Sequence, residues 1–146
     1  MRIAVGSDHA GFALKEHVRA ALTAGGHDVV DVGTLTDESV DYPGFAAAAA
    51  HLVAAGDAER AVLACGSGNG VAIAANKIAG IRAVNAHDAQ EAQMARRHND
   101  INVLTLSGSR LAPEAADAIV GAFLDTASEG GRHARRVAQI GDLERG

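Results

Sequence analysis

Residues 65–70 read CGSGNG and contain the only cysteine of the chain. Glycines at alternate positions let backbone N–H groups turn inward and approach a ligand closely. If the loop opens a helix, those N–H groups also lie at the positive end of its dipole, where an anion is stabilised. A thiol just before a helix N-terminus carries more thiolate and is a candidate base or nucleophile. The pattern is not G-x-x-x-x-G-K-[ST], and Val71 stands where G-x-G-x-x-G has its last glycine, so a nucleotide phosphate is not specifically indicated. A plain strand-to-helix turn with a small buried thiol fits the same letters.

Other stretches carry chemistry. Asp8 and His9 lie in GSDHAG, where Ser7 or Asp8 is equally suited to cap the next helix. His98 and Asn99 follow Arg96 and Arg97 at the predicted end of a helix, where cations also suit the helix dipole. Arg110 follows the last predicted strand, and Arg132, Arg135 and Arg136 lie in the tail. Arg132 and Arg136 are spaced to share one helical face, either as a solvated basic stripe or as a phosphate fork. A possible thiolate, an N–H cradle, two histidines, an aspartate and arginine forks suit proton transfer next to a carbonyl of a phosphorylated substrate.

The elements that must position these residues alternate along the whole chain. Apolar runs at 2–6, 27–33, 60–66, 81–86 and 102–108 predict strands. Helical spacing predicts helices over 11–26, 42–55, 70–80, 88–98 and 113–127, with Pro43 in the first turn of the second, and the tail is expected to be helical too. This is the pattern of an α/β Rossmann-like three-layer sandwich: a five-stranded parallel sheet with helices on both faces and a C-terminal helix, one domain over 1–146. With strand order 2-1-3-4-5, the switch point lies between strands 1 and 3, where ligands of such sheets bind. GSDHAG and CGSGNG meet there. His98 and Asn99, which precede strand 5, are badly placed for that sheet end and suit a neighbouring subunit's site.

Composition narrows the function classes. The 146 residues carry a net charge of −5, which argues against a general nucleic-acid binder. One cysteine excludes an internal disulfide framework, and no Cys/His set has zinc spacing. The N-terminus MRIAVGSDHAG has no long apolar signal-peptide core and no apolar run reaches the length of a membrane helix, so a cytoplasmic protein is expected; with no zinc spacing and no dinucleotide fingerprint, no metal or cofactor is expected either.

The stretches GSDHAGFALK, VDVGT, DYPGFA, CGSGNGVAIAANKIAGIRAV, ARRHNDINVL, GSR and EGGRHARRV, in this order and over nearly the whole chain, resemble the type B ribose-5-phosphate isomerases. Their family also includes galactose-6-phosphate isomerase subunits. The resemblance implies interconversion of ribose 5-phosphate and ribulose 5-phosphate through an enediolate, with no metal or cofactor. It implies Cys65 as the base, since the glutamate of a second subgroup is replaced here by Val71. It further implies that Ser67 and the N–H groups of Gly66, Ser67, Gly68, Asn69 and Gly70 stabilise the enediolate oxygen, and that His98 with Asp8 opens the furanose ring. Asn99 would hold sugar hydroxyls, Tyr42 line the pocket, and His9, Arg132, Arg136 and Arg110 hold the phosphate. The family usually spaces the His98 and Arg110 equivalents one residue closer, which bears on the Arg110 role. Sites shared between the subunits of a homodimer or homotetramer are implied as well. Allose 6-phosphate, galactose 6-phosphate or a tetrulose phosphate is an alternative substrate, and a non-catalytic sugar-phosphate-binding module is the alternative of a different class.

Overall fold

The computed structural model describes residues 1–146. Strands β1 (Arg2–Ser7), β2 (Asp28–Asp31), β3 (Arg60–Cys65), β4 (Ala83–Asn85) and β5 (Val103–Ser107) alternate with helices α1 (Phe12–Ala24), α2 (Tyr42–Ala54), α3 (Asn69–Asn76), α4 (Ala89–Asn99) and α5 (Pro113–Asp125). A last helix, α6 (Arg132–Leu143), follows. The sheet is parallel throughout, in the order β2-β1-β3-β5-β4.

The expected order of the last two strands is therefore corrected. β5 is buried at every position and sits inside, while the three-residue β4 forms the edge. The reason is polarity. β5 reads VLTLS and suits burial on both faces, whereas the segment around β4 carries Arg82 and Asn85, which an edge accommodates. The switch point between β1 and β3 is unaffected.

Strand alternation sorts the core into two layers. Ile3, Val5, Val62, Ala64, Leu104 and Leu106 face α1, α4 and α5. Ala4, Ala61, Leu63, Cys65 and Val103 face the opposite way, against the alanine-rich α2 and α3. The thiol of Cys65 thus belongs to the α2/α3 side, at the carboxyl end of a central strand.

Two buried cations brace the connections that carry functional side chains. Lys15 is 2% exposed. Its ammonium donates to both Asp31 carboxylate oxygens at 3.0 and 2.8 Å and to the Thr34 carbonyl at 2.6 Å, tying α1 to β2 and the loop after it. Arg96 donates to Asp100, to the Ile101 carbonyl and, at 3.0 Å, to the Thr126 carbonyl, which fixes the end of α4 beside His98. No helix is long and apolar enough to cross a membrane.

Candidate active site

The glycine loop of residues 65–70 is held from below. The carbonyl of Gly66 accepts from the Ser107 and Ser109 hydroxyls, each at 2.7 Å, and from the Ser109 N–H at 3.1 Å. The Thr105 hydroxyl donates to the Gly68 carbonyl at 2.7 Å. Asn85, at the end of β4, donates from Nδ2 to the Ser67 carbonyl at 3.0 Å and to Asn69 Oδ1 at 2.8 Å. With the carbonyls anchored, the N–H side of the loop faces outward. The N–H groups of Gly66, Ser67 and Gly70 have no acceptor in the chain, whereas that of Asn69 donates to Ser67 Oγ at 3.1 Å. Cys65 is buried, and the Gly68 N–H donates to its sulfur at 3.2 Å.

Gly68 has φ +81°, and a side chain there would strike Asn85 and, at 2.9 Å, the backbone of Leu106. Gly68→Ala is expected to cost about 2–3 kcal/mol through left-handed strain and overpacking. Gly66 has only the Ala10 methyl at 3.6 Å before it, so Gly66→Ala should cost under about 1 kcal/mol. Urea midpoints of the two variants check the difference, and equal losses would mean that the loop is not held as described. At Gly70 the missing side chain makes room for the Tyr42 ring, 2.6 Å from where a Cβ would stand.

Asp8 and His9 lie across from this loop, as the sequence suggests, but neither Ser7 nor Asp8 is the cap of α1. The cap position is Gly11, whose N–H donates to Asp8 Oδ1 at 3.0 Å. The chain stays extended through Ser7 and turns only at 8–11, so the caps expected there stand too early. The Val40 N–H donates to Nδ1 of His9 at 3.1 Å. A backbone N–H can only donate, so the ring proton of His9 is on Nε2, available to an anion. Arg110 belongs to the same end, in the turn after β5, and its guanidinium has no partner in the chain.

His98, Asn99, Arg132 and Arg136 are not part of this cluster. Cys65 pairs with Ser107 while Ala61 pairs with Val103. Four residues of strand, about 13 Å, separate those levels, and His98 precedes Val103. His98 instead stacks on His133, with ring centroids 4.1 Å apart and planes within 11°. A cavity of about 280 Å³ opens beside them, between α4 and α6. Arg2, Arg19, Arg60, Arg82, Arg96 and Arg145 each have an acceptor in the chain. Arg97, Arg110, Arg132, Arg135 and Arg136 have none, and four of these five are on α4 or α6. One chain thus carries an N–H cradle with a thiol and a cationic patch with imidazoles at opposite ends of its sheet.

Asn85, Thr105, Ser107 and Ser109 are functional supports that sequence reasoning missed. The one available signal was a run of small hydroxyl and amide residues at the carboxyl ends of the two strands beside the glycine loop.

Residues 3–140 match the profile of the family described as Ribose/Galactose Isomerase. The chain belongs to that family. It is 46% identical over 143 residues to ribose-5-phosphate isomerase B of Escherichia coli, covering 98% of this chain and 96% of that one. It is 40% identical to the D-erythrulose-4-phosphate isomerase of Pectobacterium atrosepticum, covering 99% and 95%. The solved ribose-5-phosphate isomerase B of Clostridium thermocellum superposes with a TM-score of 0.98 at 43% identity, covering 99% of this chain and 98% of that one.

Proposed function

We propose that the protein interconverts ribose 5-phosphate and ribulose 5-phosphate, with Cys65 moving a proton between C1 and C2. The observation that carries this reading is the anchored loop that turns unpartnered N–H groups outward beside a thiol, in a chain of this family. Negative charge gathers on the substrate oxygen as the enediolate forms. The Ser67 hydroxyl and the unpartnered N–H groups of Gly66, Ser67 and Gly70 receive it, each donor contributing about 3 kcal/mol. Val71, next after the loop, has no proton-accepting group, which leaves Cys65 as the base.

Asp8 and His98 open the furanose, Asn99 binds hydroxyls, and Tyr42 lines the sugar pocket. His9, Arg132, Arg136 and Arg110 bind the phosphate. Because His98 and the tail arginines gather toward the end of the sheet opposite their own Cys65, the site is completed by a partner subunit in a homodimer or a dimer of dimers. In a two-fold pair each cationic patch faces the other chain's cradle. The character of α6 supports this arrangement. It buries no residue within the chain and leaves Ile140 and Leu143 exposed. The protein acts in the cytoplasm.

The test is formation of ribulose 5-phosphate by the purified protein, with Arg136→Ala beside it. The variant should raise KM roughly tenfold or more, with kcat nearly kept, as expected for loss of a charge-assisted hydrogen bond. An unchanged KM would remove Arg136 from the site. Binding of ribose 5-phosphate without turnover by the wild type would favour a sugar-phosphate-binding module instead.

A further inference from the structure

The segment EGGRH at 129–133 brings two more side chains to His98. Gly130 and Gly131 both have positive φ, +74° and +57°, and the turn they make places Glu129 and His133 on the same imidazole. The Glu129 N–H donates to the Arg97 carbonyl at 3.0 Å, locking the segment to the end of α4. The Glu129 carboxylate then stands 3.5 Å from Nε2 of His98, and the His133 ring lies parallel against its face at 4.1 Å.

These three groups could also hold a divalent metal, since their ligand atoms lie within 4.8 Å of one another. The surrounding charge weighs against a cation. Arg97 and His133 line the same cavity, and Arg132 and Arg136 flank His133 on α6. Glu129 is the one carboxylate facing the rings that is not already engaged, because Asp100 is taken by Arg82 and Arg96. Partial burial, with the charges of His98 and Arg132 next, pushes the His133 imidazole below its ordinary value. The shift favours the neutral imidazole as the stacking surface.

We infer that Glu129 and His133 are positioning residues for His98 in opening the sugar ring. The inference rests on the ring-opening role proposed above. The Glu129 carboxylate, 3.5 Å from Nε2, orients that edge of the His98 ring, so Nδ1 is the nitrogen left to deliver a proton, and His133 fixes the plane from which it does so. That proton goes to the furanose oxygen. The bond from C1 to that oxygen breaks with its electron pair on the oxygen. The C1 hydroxyl gives its proton to Asp8 of the facing subunit and becomes the aldehyde.

Ribulose 5-phosphate supplies the test, because the hydroxyl that would close its ring carries the phosphate. Exchange of its C1 hydrogen in D2O needs the base but no ring opening. Glu129→Gln and His133→Ala should each lower turnover of ribose 5-phosphate about tenfold, with C1 exchange kept within about twofold. His133→Phe, which keeps the stack, should restore turnover. His98→Asn is the reference and should lose about a hundredfold in turnover while still exchanging C1. If His98→Asn isomerises normally, or loses exchange as well, the ring-opening role itself fails. If His98→Asn behaves as expected but the Glu129 and His133 variants turn over like wild type, or lose exchange and turnover together, this inference is overturned. Stoichiometric micromolar Zn2+ binding by calorimetry, absent in His133→Ala, would overturn it in favour of a metal site.

Discussion

Cys65→Ala is expected to lower kcat for ribose 5-phosphate about a thousandfold, the scale of losing a positioned base, while sugar-phosphate binding stays within a few-fold of wild type. The two effects separate because the loop does not depend on the sulfur for its shape. Its carbonyls are held by Asn85, Thr105, Ser107 and Ser109, and the sulfur accepts a single N–H, that of Gly68. Removing a small buried side chain should cost about 1 kcal/mol of stability, too little to unfold the chain. Turnover by rapid-mix assay and binding by calorimetry on the same preparation check both halves. Wild-type turnover in the variant would show that another group is the base. Loss of binding together with turnover would show that the thiol shapes the cradle.

Mixing Cys65→Ala chains with His98→Ala chains, each nearly inactive alone, should recover about a quarter of wild-type activity after subunit exchange. In a two-fold dimer with shared sites, half the mixed population is heterodimeric. One of the two sites in each heterodimer then combines an intact Cys65 with the partner's intact His98. The geometry behind this is the register of β3 on β5, which puts the two residues at opposite ends of one sheet. Mass spectrometry of the exchanged sample verifies the heterodimer. No recovery in its presence would place both residues in one chain's site.

Much of this organisation was legible in the sequence. The apolar runs and glycine stops outlined every element, and the two loops at the switch point were recognisable by their glycines and by the lone thiol. The remote position of His98 also followed from its place before β5. Other features depend on tertiary contacts and had weaker signals. The exchange of β4 and β5 was signalled only by Arg82 and Asn85 in an otherwise apolar run. The helix cap expected at Ser7 or Asp8 moved to Gly11 because β1 extends through Ser7 before the chain turns. Lys15 has the spacing of the buried face of α1, three residues before Val18 and seven before Leu22, and a lysine is accommodated there because Asp31 and the Thr34 carbonyl converge on it from distant parts of the chain. Glu129 and His133 stand out in the sequence only as letters of the stretch EGGRHARRV. Their relation to His98 needs the fold, because α6 returns against α4 only after the chain has completed β5 and α5.

The choice of sugar phosphate is the part of the account most open to a direct measurement, since family members at similar identity carry names for a five-carbon and a four-carbon substrate. The kcat/KM of the purified wild-type protein should be measured for ribose 5-phosphate, allose 6-phosphate, galactose 6-phosphate and erythrose 4-phosphate under one set of conditions. The account predicts turnover of ribose 5-phosphate with the highest kcat/KM of the four. No turnover of ribose 5-phosphate, alongside rapid turnover of erythrose 4-phosphate or of a hexose phosphate, would contradict it.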